Sequence, residues 1–383
     1  MQIDEGATTM APIELPLEDG WTLPASWYLD PNVYALERER IFASAWQYAG
    51  PLQWVAGHGC FFAAQVGRVP VAIVRGKDGA LRGFVNVCRH RGHLVVSGEG
   101  CRETLQCPYH AWTYDLDGTL RKAPRSEREP GFDAAGLSLL SVSVGTWGPF
   151  VFVNPDPAAT ALEEALGDLP SIVAASGIDL DAVRFHSHHE WPIEANWKVT
   201  MENFLECYHC PTAHPGFSKV IDVAPDAYRL QVHPTFSSQV GSVRESAISG
   251  NGKAAYTPRS DIAQAQYHFL FPVTTVNIAP GIPNIGLERY IPDGPARTIE
   301  LTDYYFGTDA SDEEIAELMA WDSQVAEEDV SLVQSVQRGL ESGAVPQGRL
   351  MVESEQLIVD FQRRVRDALL SDWMPDRKFT RAD

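Results

Sequence analysis

Two short strings carry residue types that bind transition metals: Cys88-Arg89-His90 and, sixteen residues further on, Cys107-Pro108-Tyr109-His110. Each string offers one thiolate and one imidazole. A [2Fe–2S] cluster with two Cys on one iron and two His on the other needs such a pair of loops. Exchanging two thiolates for neutral imidazoles makes the cluster less negative and raises its potential. The competing assignment is a structural zinc site built from the same four residues. Both strings lie among short β-type runs, which favours the cluster.

A second set surrounds His209 and His214 in the segment Glu206-Cys207-Tyr208-His209-Cys210-Pro211-Thr212-Ala213-His214-Pro215. On one continuous helix, residues five apart point about 140° from each other. Pro211 falls between them, so a helix running through 196–210 should bend or end there. Both imidazoles could then face one metal. Non-haem iron takes two His and one carboxylate on one face, with positions left open for O2. The candidate carboxylate comes from a helix expected over 311–341. Ile315, Leu318, Val325, Leu332, Val333, Val336 and Leu340 define its buried stripe. Asp329 falls at the centre of that stripe, and Asp322 lies on it two turns earlier. Glu328 points roughly 100° away, which predicts that Glu328→Ala keeps both metal centres. An acid on a buried face is costly unless it is paired or metal-bound.

These residues need elements to hold them. Val71–Val74, Gly83–Val87 and Phe150–Val153 read as strands separated by turns such as Lys77-Asp78-Gly79, giving an all-β unit over 46–155. Asn154-Pro155-Asp156-Pro157 reads as a linker. Helices are expected at 161–176 and 196–210, strands between 228 and 307, and amphipathic helices at 311–341 and 353–370. A further helix near Pro31–Ser44 belongs to a segment, 1–45, too short to fold alone. It should pack on the C-terminal part and make the larger domain discontinuous. The fold class is α+β.

Composition narrows the functions. The 383 residues carry a formal charge of −21, a poor match to nucleic acid, whose phosphates need Lys and Arg. No stretch is apolar enough to cross a bilayer, and Met1–Leu15 has neither basic leader nor apolar core, so a cytoplasmic protein is expected. In that compartment Cys60 and Cys101 are expected to be buried free thiols, and Cys207 and Cys210 pocket-lining thiols. His186, His188 and His189 have no carboxylate or Cys at ligand spacing and are taken as structural.

Over nearly its full length the chain resembles the α subunit of aromatic-ring-hydroxylating dioxygenases and related Rieske oxygenases. The resemblance rests on the two Cys/His loops with their Arg91-Gly92-His93 and Ala111-Trp112 flanks. It rests also on Asn196-Trp197-Lys198 with Glu202-Asn203 and the His pair, and on Glu328-Asp329-Val330 with Val336-Gln337-Arg338-Gly339-Leu340. It implies an all-β Rieske domain over 46–155, ahead of a catalytic domain formed by 1–45 and 156–383 with a central antiparallel sheet flanked by helices. Cys88, His90, Cys107 and His110 would hold the cluster; His209, His214 and Asp329 would hold iron. The resemblance makes Glu206 the carboxylate that bridges a cluster histidine of one subunit to an iron-ligand histidine of the next, where most relatives have Asp. It therefore implies a homotrimer. It also implies O2 as co-substrate and electrons from NAD(P)H through a separate flavin and iron–sulfur reductase, with or without a ferredoxin between. Arg89, Arg91, Arg121, Lys122, Arg125 and Arg128 form a basic stretch that would steer such a partner.

The Glu206-Cys207-Tyr208-His209-Cys210 string resembles the branch acting on quaternary ammonium compounds such as betaine, stachydrine and carnitine. The expected reaction is monooxygenation with N-demethylation. Trp191, Phe204, Tyr208 and the Tyr267–Phe271 run could supply aromatic faces for a cation. Hydroxylation of an aromatic acid or arene is the alternative. An electron-transfer ferredoxin is a third reading, disfavoured by the length of the chain and the second metal set.

Overall fold

The structure, a computed structural model, describes residues 10–248, 256, 258 and 261–371. It divides into two compact units, one formed by 42–166 and the other by the described residues up to Ile41 together with Gly167–Ser371. No helix among the described residues is long and apolar enough to cross a membrane.

The 42–166 unit is built on a seven-stranded sheet. Its strands run in the order Gln47–Pro51, Phe150–Asn154, Ser141–Trp147, Leu81–Val85, Val69–Arg75, Cys60–Val66 and Glu99–Cys101. A small sheet of Leu105–Gln106, Thr113–Tyr114 and Leu120–Lys122 stands beside it. Strands rich in Val, Ile and Phe bury both faces of the sheet, with Phe61, Val71, Ile73, Val74 and Phe150 at 1% exposure or less. Asn86 ties down the segment after Cys88. Its side chain accepts from the amides of Val95 (3.1 Å) and Val96 (3.0 Å) and donates to Val96 O (2.8 Å).

Cys60 and Cys101 are not buried free thiols. They are cross-strand partners and form a disulfide, with Cys101 exposed. Pairing of two distant strands set this contact, and a count of cysteines does not reveal it. The helix expected at 161–176 is two, Leu162–Leu166 and Leu169–Ala175, divided at Gly167, whose φ of 52° favours glycine.

The second unit carries a seven-stranded sheet in which each neighbouring pair is antiparallel. Its order is Val183–Ile193, Thr298–Gly307, Asn284–Pro292, Thr274–Ile278, Gln264–Leu270, Phe236–Ser242 and Tyr228–Val232. The helices Pro31–Arg40, Trp197–Phe204, Asp312–Glu341 and Gln356–Leu370 complete the unit. Ser311 opens the long helix with a reciprocal capping box to Glu314. The buried stripe of that helix drifts at its end: Val336 is exposed and Gln337 takes the inward place, accepting from the Asn196 amide at 3.0 Å.

The N-terminal segment is anchored within this unit. Glu37, fully buried, accepts from Lys198 Nζ and from Trp197 Nε1 (2.8 Å), and Leu23 N donates to Gln362 Oε1 (3.0 Å). Beside them lies Glu202, whose Oε1 accepts from Tyr28 Oη at 2.6 Å and Gln362 Nε2 at 2.8 Å. Burial outweighs these hydrogen bonds and the nearby Lys198, pushing the Glu202 carboxyl up to about 7. A raised carboxyl favours the fold below its unfolded value of 4.5, and that contribution is lost as pH rises through about 7. Glu202→Gln keeps Oε1 as acceptor and removes the titration. The variant should match wild type in thermal midpoint near pH 4.5 and exceed it at pH 8. The gap at pH 8 should be on the order of 3 kcal/mol, since folding moves this carboxyl from 4.5 to about 7. Parallel thermal melts at the two pH values check this.

Candidate functional site

The two Cys/His loops have the same local build. In the first, Cys88 N donates to His93 O (2.8 Å) and Gly92 N to Cys88 O (3.1 Å). In the second, Cys107 N donates to Trp112 O (2.8 Å) and Ala111 N to Cys107 O (3.1 Å). Each turn closes on a residue in the left-handed region, Gly92 at φ 72° and Ala111 at φ 57°. A non-glycine residue there is costly and is kept where surrounding contacts over-determine it. The matched turns bring Cys88 and Cys107 together as buried thiols, while the His90 and His110 rings meet edge to face at 4.6 Å. His90 also stacks on Trp112 at 5.0 Å, and Tyr114 Oη lies 3.3 Å from Cys88 Sγ. Two thiols at the bottom and two imidazoles at the mouth fit a cluster with one Cys-ligated and one His-ligated iron.

The second set forms differently from the expectation. The helix expected over 196–210 ends at Phe204, and Glu206–His209 are not helical. Pro211 does not break a helix; it sits in the first turn of a new short one, Cys210–Ala213, where its missing N–H costs nothing. Glu206 turns back over the gap. Its Oε2 accepts from the amides of Tyr208 and His209 (3.2 Å), and its Oε1 holds His209 Nδ1. Cys207 and Cys210, buried on either side of His209, form a disulfide rather than free thiols, because the same turn sets them side by side.

The long helix supplies the carboxylate at the expected phase. Asp329 Oδ1 lies 3.0 Å from His214 Nε2 and 3.5 Å from His209 Nε2, and accepts from Asn203 Nδ2 at 2.6 Å. The two Nε2 atoms are 3.0 Å apart. Both Nδ1 atoms are committed to carboxylates: His209 to Glu206, and His214 to Glu328 Oε2 at 2.7 Å. Each carboxylate fixes the proton on Nδ1 and leaves Nε2 as a lone pair. Two lone pairs and a carboxylate oxygen converging at these distances fit a cation between them, and two His with one carboxylate suit non-haem iron.

Glu328 therefore corrects the expectation that Glu328→Ala leaves the metal undisturbed. Its main chain does point away from Asp329 on the helix, but its long side chain reaches His214 Nδ1. Glu328→Gln should weaken iron binding by about 10–100-fold, the usual cost of an outer hydrogen-bond partner. Metal titration of apo-protein measures it. Asp322 is not part of the metal set; its carboxylate accepts from Tyr304 Oη at 2.5 Å. Among the three discounted histidines, His188 does have a carboxylate partner. Asp303, its opposite number on the next strand, lies 2.7 Å from Nδ1, a pairing that local spacing cannot show.

His209, His214 and Asp329 line a cavity of about 140 Å³. Trp191, Phe204, Tyr267, Tyr290, Tyr304 and Trp321 supply aromatic walls. Tyr208, expected among them, is 59% exposed and does not line it. Asn203, Glu288, Tyr290, Glu300 and Tyr304 also line the cavity, beyond the residues expected from sequence. Asn203 had a signal, its place in the Glu202-Asn203 string; the strand residues had none.

The chain also matches known proteins along most of its length. Residues 45–141 match the family model described as the Rieske [2Fe-2S] domain, and residues 180–371 match the ring hydroxylating alpha subunit (catalytic domain). The carnitine monooxygenase oxygenase subunit of Escherichia coli (strain K12) is 34% identical, with 88% of this chain and 89% of that one covered. The chloroplastic choline monooxygenase of Atriplex hortensis is 32% identical, covering 91% of this chain and 78% of that one. A solved quaternary ammonium Rieske monooxygenase, described in connection with carnitine oxidation and inter-subunit electron transfer, superposes with a TM-score of 0.83. It is 31% identical, with 94% of this chain and 100% of that one covered.

Proposed function

Because the chain belongs to the Rieske ring-hydroxylating oxygenase family, whose two domains carry a [2Fe–2S] cluster and a mononuclear iron, we propose that it is an oxygenase component that N-demethylates a small quaternary ammonium or N-methylated compound. The observation that carries this reading is the aromatic cavity opening directly onto His209, His214 and Asp329. A quaternary ammonium has no N–H and is bound by aromatic faces, each contact worth about 0.5–2 kcal/mol. The likeness to carnitine and choline monooxygenases points to the same substrate class.

In this reading Cys88, His90, Cys107 and His110 hold the cluster, and His209, His214 and Asp329 hold the iron. Iron, when bound, supplies the activation of O2. The chain's own residues orient and exclude. Glu206 and Glu328 keep the two imidazoles in the Nδ1–H tautomer, Asn203 aims Asp329, and the aromatic walls present an N-methyl group while limiting water. Glu206 also links His209 to a cluster histidine of a neighbouring subunit, which calls for a closed ring of copies; the proposed ring is a homotrimer. Electrons come from NAD(P)H through a separate flavin and iron–sulfur reductase. Exposed Arg91, Lys122, Arg125 and Arg128 suit an acidic partner; Arg121 is paired with Asp115 at 3.3 Å, and Arg89 donates to Ser138 O.

The test is reconstitution with a matching reductase, following O2 uptake and formaldehyde release on choline, glycine betaine, stachydrine and carnitine beside benzoate, phthalate and vanillate. Formaldehyde coupled to O2 uptake on an ammonium compound is expected. Coupled turnover of an aromatic acid, with no response to any ammonium compound, would transfer the assignment to arene hydroxylation.

A further inference from the structure

Every carboxyl or amine that the sheet wall and the adjoining helix face present to the cavity among the described residues is acidic. Antiparallel register places Glu288 opposite both Thr275 and Thr302, and Tyr290 opposite Glu300, so these side chains share one face with Trp191 and Tyr304. Asp322 approaches the same wall from the long helix. Glu288, Glu300 and Asp322 all line the cavity. Among the described residues they accept hydrogen bonds from neutral donors. Glu288 accepts from Thr275 (2.6 Å) and Tyr290 Oη (2.8 Å), Glu300 from Thr302 (3.1 Å) and Asp322 from Tyr304 Oη. Among the described residues, no Lys or Arg lines this cavity. Arg289, next to Glu288, alternates to the opposite face of the sheet. Burial raises the pKa of all three carboxyls, which marks how little water or positive charge reaches them. Two buried polar atoms of lining residues, Asn277 Oδ1 and Trp321 Nε1, have no hydrogen-bond partner among the described residues.

From this arrangement we infer that the cavity selects an ammonium compound whose second functional group is a hydroxyl or another ammonium, and rejects the zwitterions that carry a carboxylate. The inference rests on the oxygenase reading above and sharpens its substrate. The trimethylammonium head meets the aromatic faces and, by its own positive charge, favours ionisation of the neighbouring carboxyls, which burial alone disfavours. A hydroxyl offers a proton to the free lone pairs of Glu288, Glu300, Asp322 or Asn277, and an acceptor to the Trp321 indole. A substrate carboxylate would be stripped of water among three acidic groups, with no cationic side chain among the described residues to receive it. That is a cost to binding which a hydroxyl in the same place does not incur.

Choline and glycine betaine are a matched pair for the test, since they share the head group and differ only in CH2OH against COO⁻. Calorimetric titration of the metal-loaded protein should give a Kd for choline at least tenfold below those for glycine betaine and carnitine. The neutral isostere 3,3-dimethylbutan-1-ol should bind at least tenfold more weakly than choline. Glu288→Gln and Asp322→Asn should each narrow the choline-to-betaine ratio; the wild-type ratio decides the matter if either variant folds poorly. Equal or tighter binding of glycine betaine or carnitine overturns the charge selection and leaves the oxygenase reading standing. Failure of every ammonium compound to bind overturns both.

Discussion

Asp329→Ala is expected to lose the mononuclear iron while the cluster keeps its visible absorption and its reduced-state spectrum. The loss should exceed the roughly 100-fold upper range for an outer partner such as Glu328. Asp329 is the only carboxylate of the three-residue set, its Oδ1 within 3.5 Å of both Nε2 atoms. Without it the remaining pair is two neutral imidazoles, a poor match to a hard-leaning Fe(II) ion. The cluster ligands belong to the other compact unit and should be indifferent to the change. Iron analysis with spectroscopy of the reduced protein decides the outcome. A variant that retains its full iron would remove Asp329 from the ligand set.

Glu206→Gln, assayed with iron in excess to offset the weaker hold that losing an outer carboxylate brings, should keep every metal and still lose turnover, by about 100-fold. The carboxylate does not touch the proposed metal position; it holds His209 Nδ1 and caps the amides of Tyr208 and His209. Glutamine can keep one of those contacts, so the local turn survives. It cannot supply the negative charge that stabilises the Nδ1 proton, and its amide can present N–H where an acceptor is needed. If Glu206 is also the link to a neighbouring subunit's cluster, the rate of electron transfer from cluster to iron falls with it. Single-turnover measurement after chemical reduction of the cluster reads that step without the reductase. An unchanged rate would place Glu206 in a structural role only.

The parts of these sites that sequence reveals are those set by local geometry. Cys88 to His90 and Cys107 to His110 lie within single turns, so spacing alone brings them into view. Asp329 follows from helical phase, since the apolar stripe around it fixes which way it faces. What sequence conceals is set by partners far along the chain. Glu288 and Glu300 reach the cavity only through strand register, and nothing near them in sequence marks them out. The Cys60–Cys101 disulfide and the His188–Asp303 pair arise from cross-strand pairing in the same way. Glu328 escaped because helical phase describes where a main chain points, whereas a long side chain can swing back by half a turn. Pro211 was misjudged because a proline that stops one helix can equally start another, and only the turn before it decides which.

Glu37 and Leu23, anchored by residues as distant as Lys198 and Gln362, impose an order on synthesis. As the chain leaves the ribosome, the β unit ending at Leu166 has all its strands available early and can close on itself. The first segment must wait. Its helix Pro31–Arg40 emerges ahead of that unit, yet its buried carboxylate finds no ammonium until Lys198 follows, and the Leu23 amide none of its acceptor until Gln362 does. The catalytic unit thus becomes complete only once Gln362 has emerged, and the stretch around Leu23 and Trp27 stays open until then. Nascent chains arrested shortly after Leu166 should bury the cluster loops but leave Trp27 and Tyr28 accessible to protease, and chaperones would meet this protein at its beginning rather than at its active site.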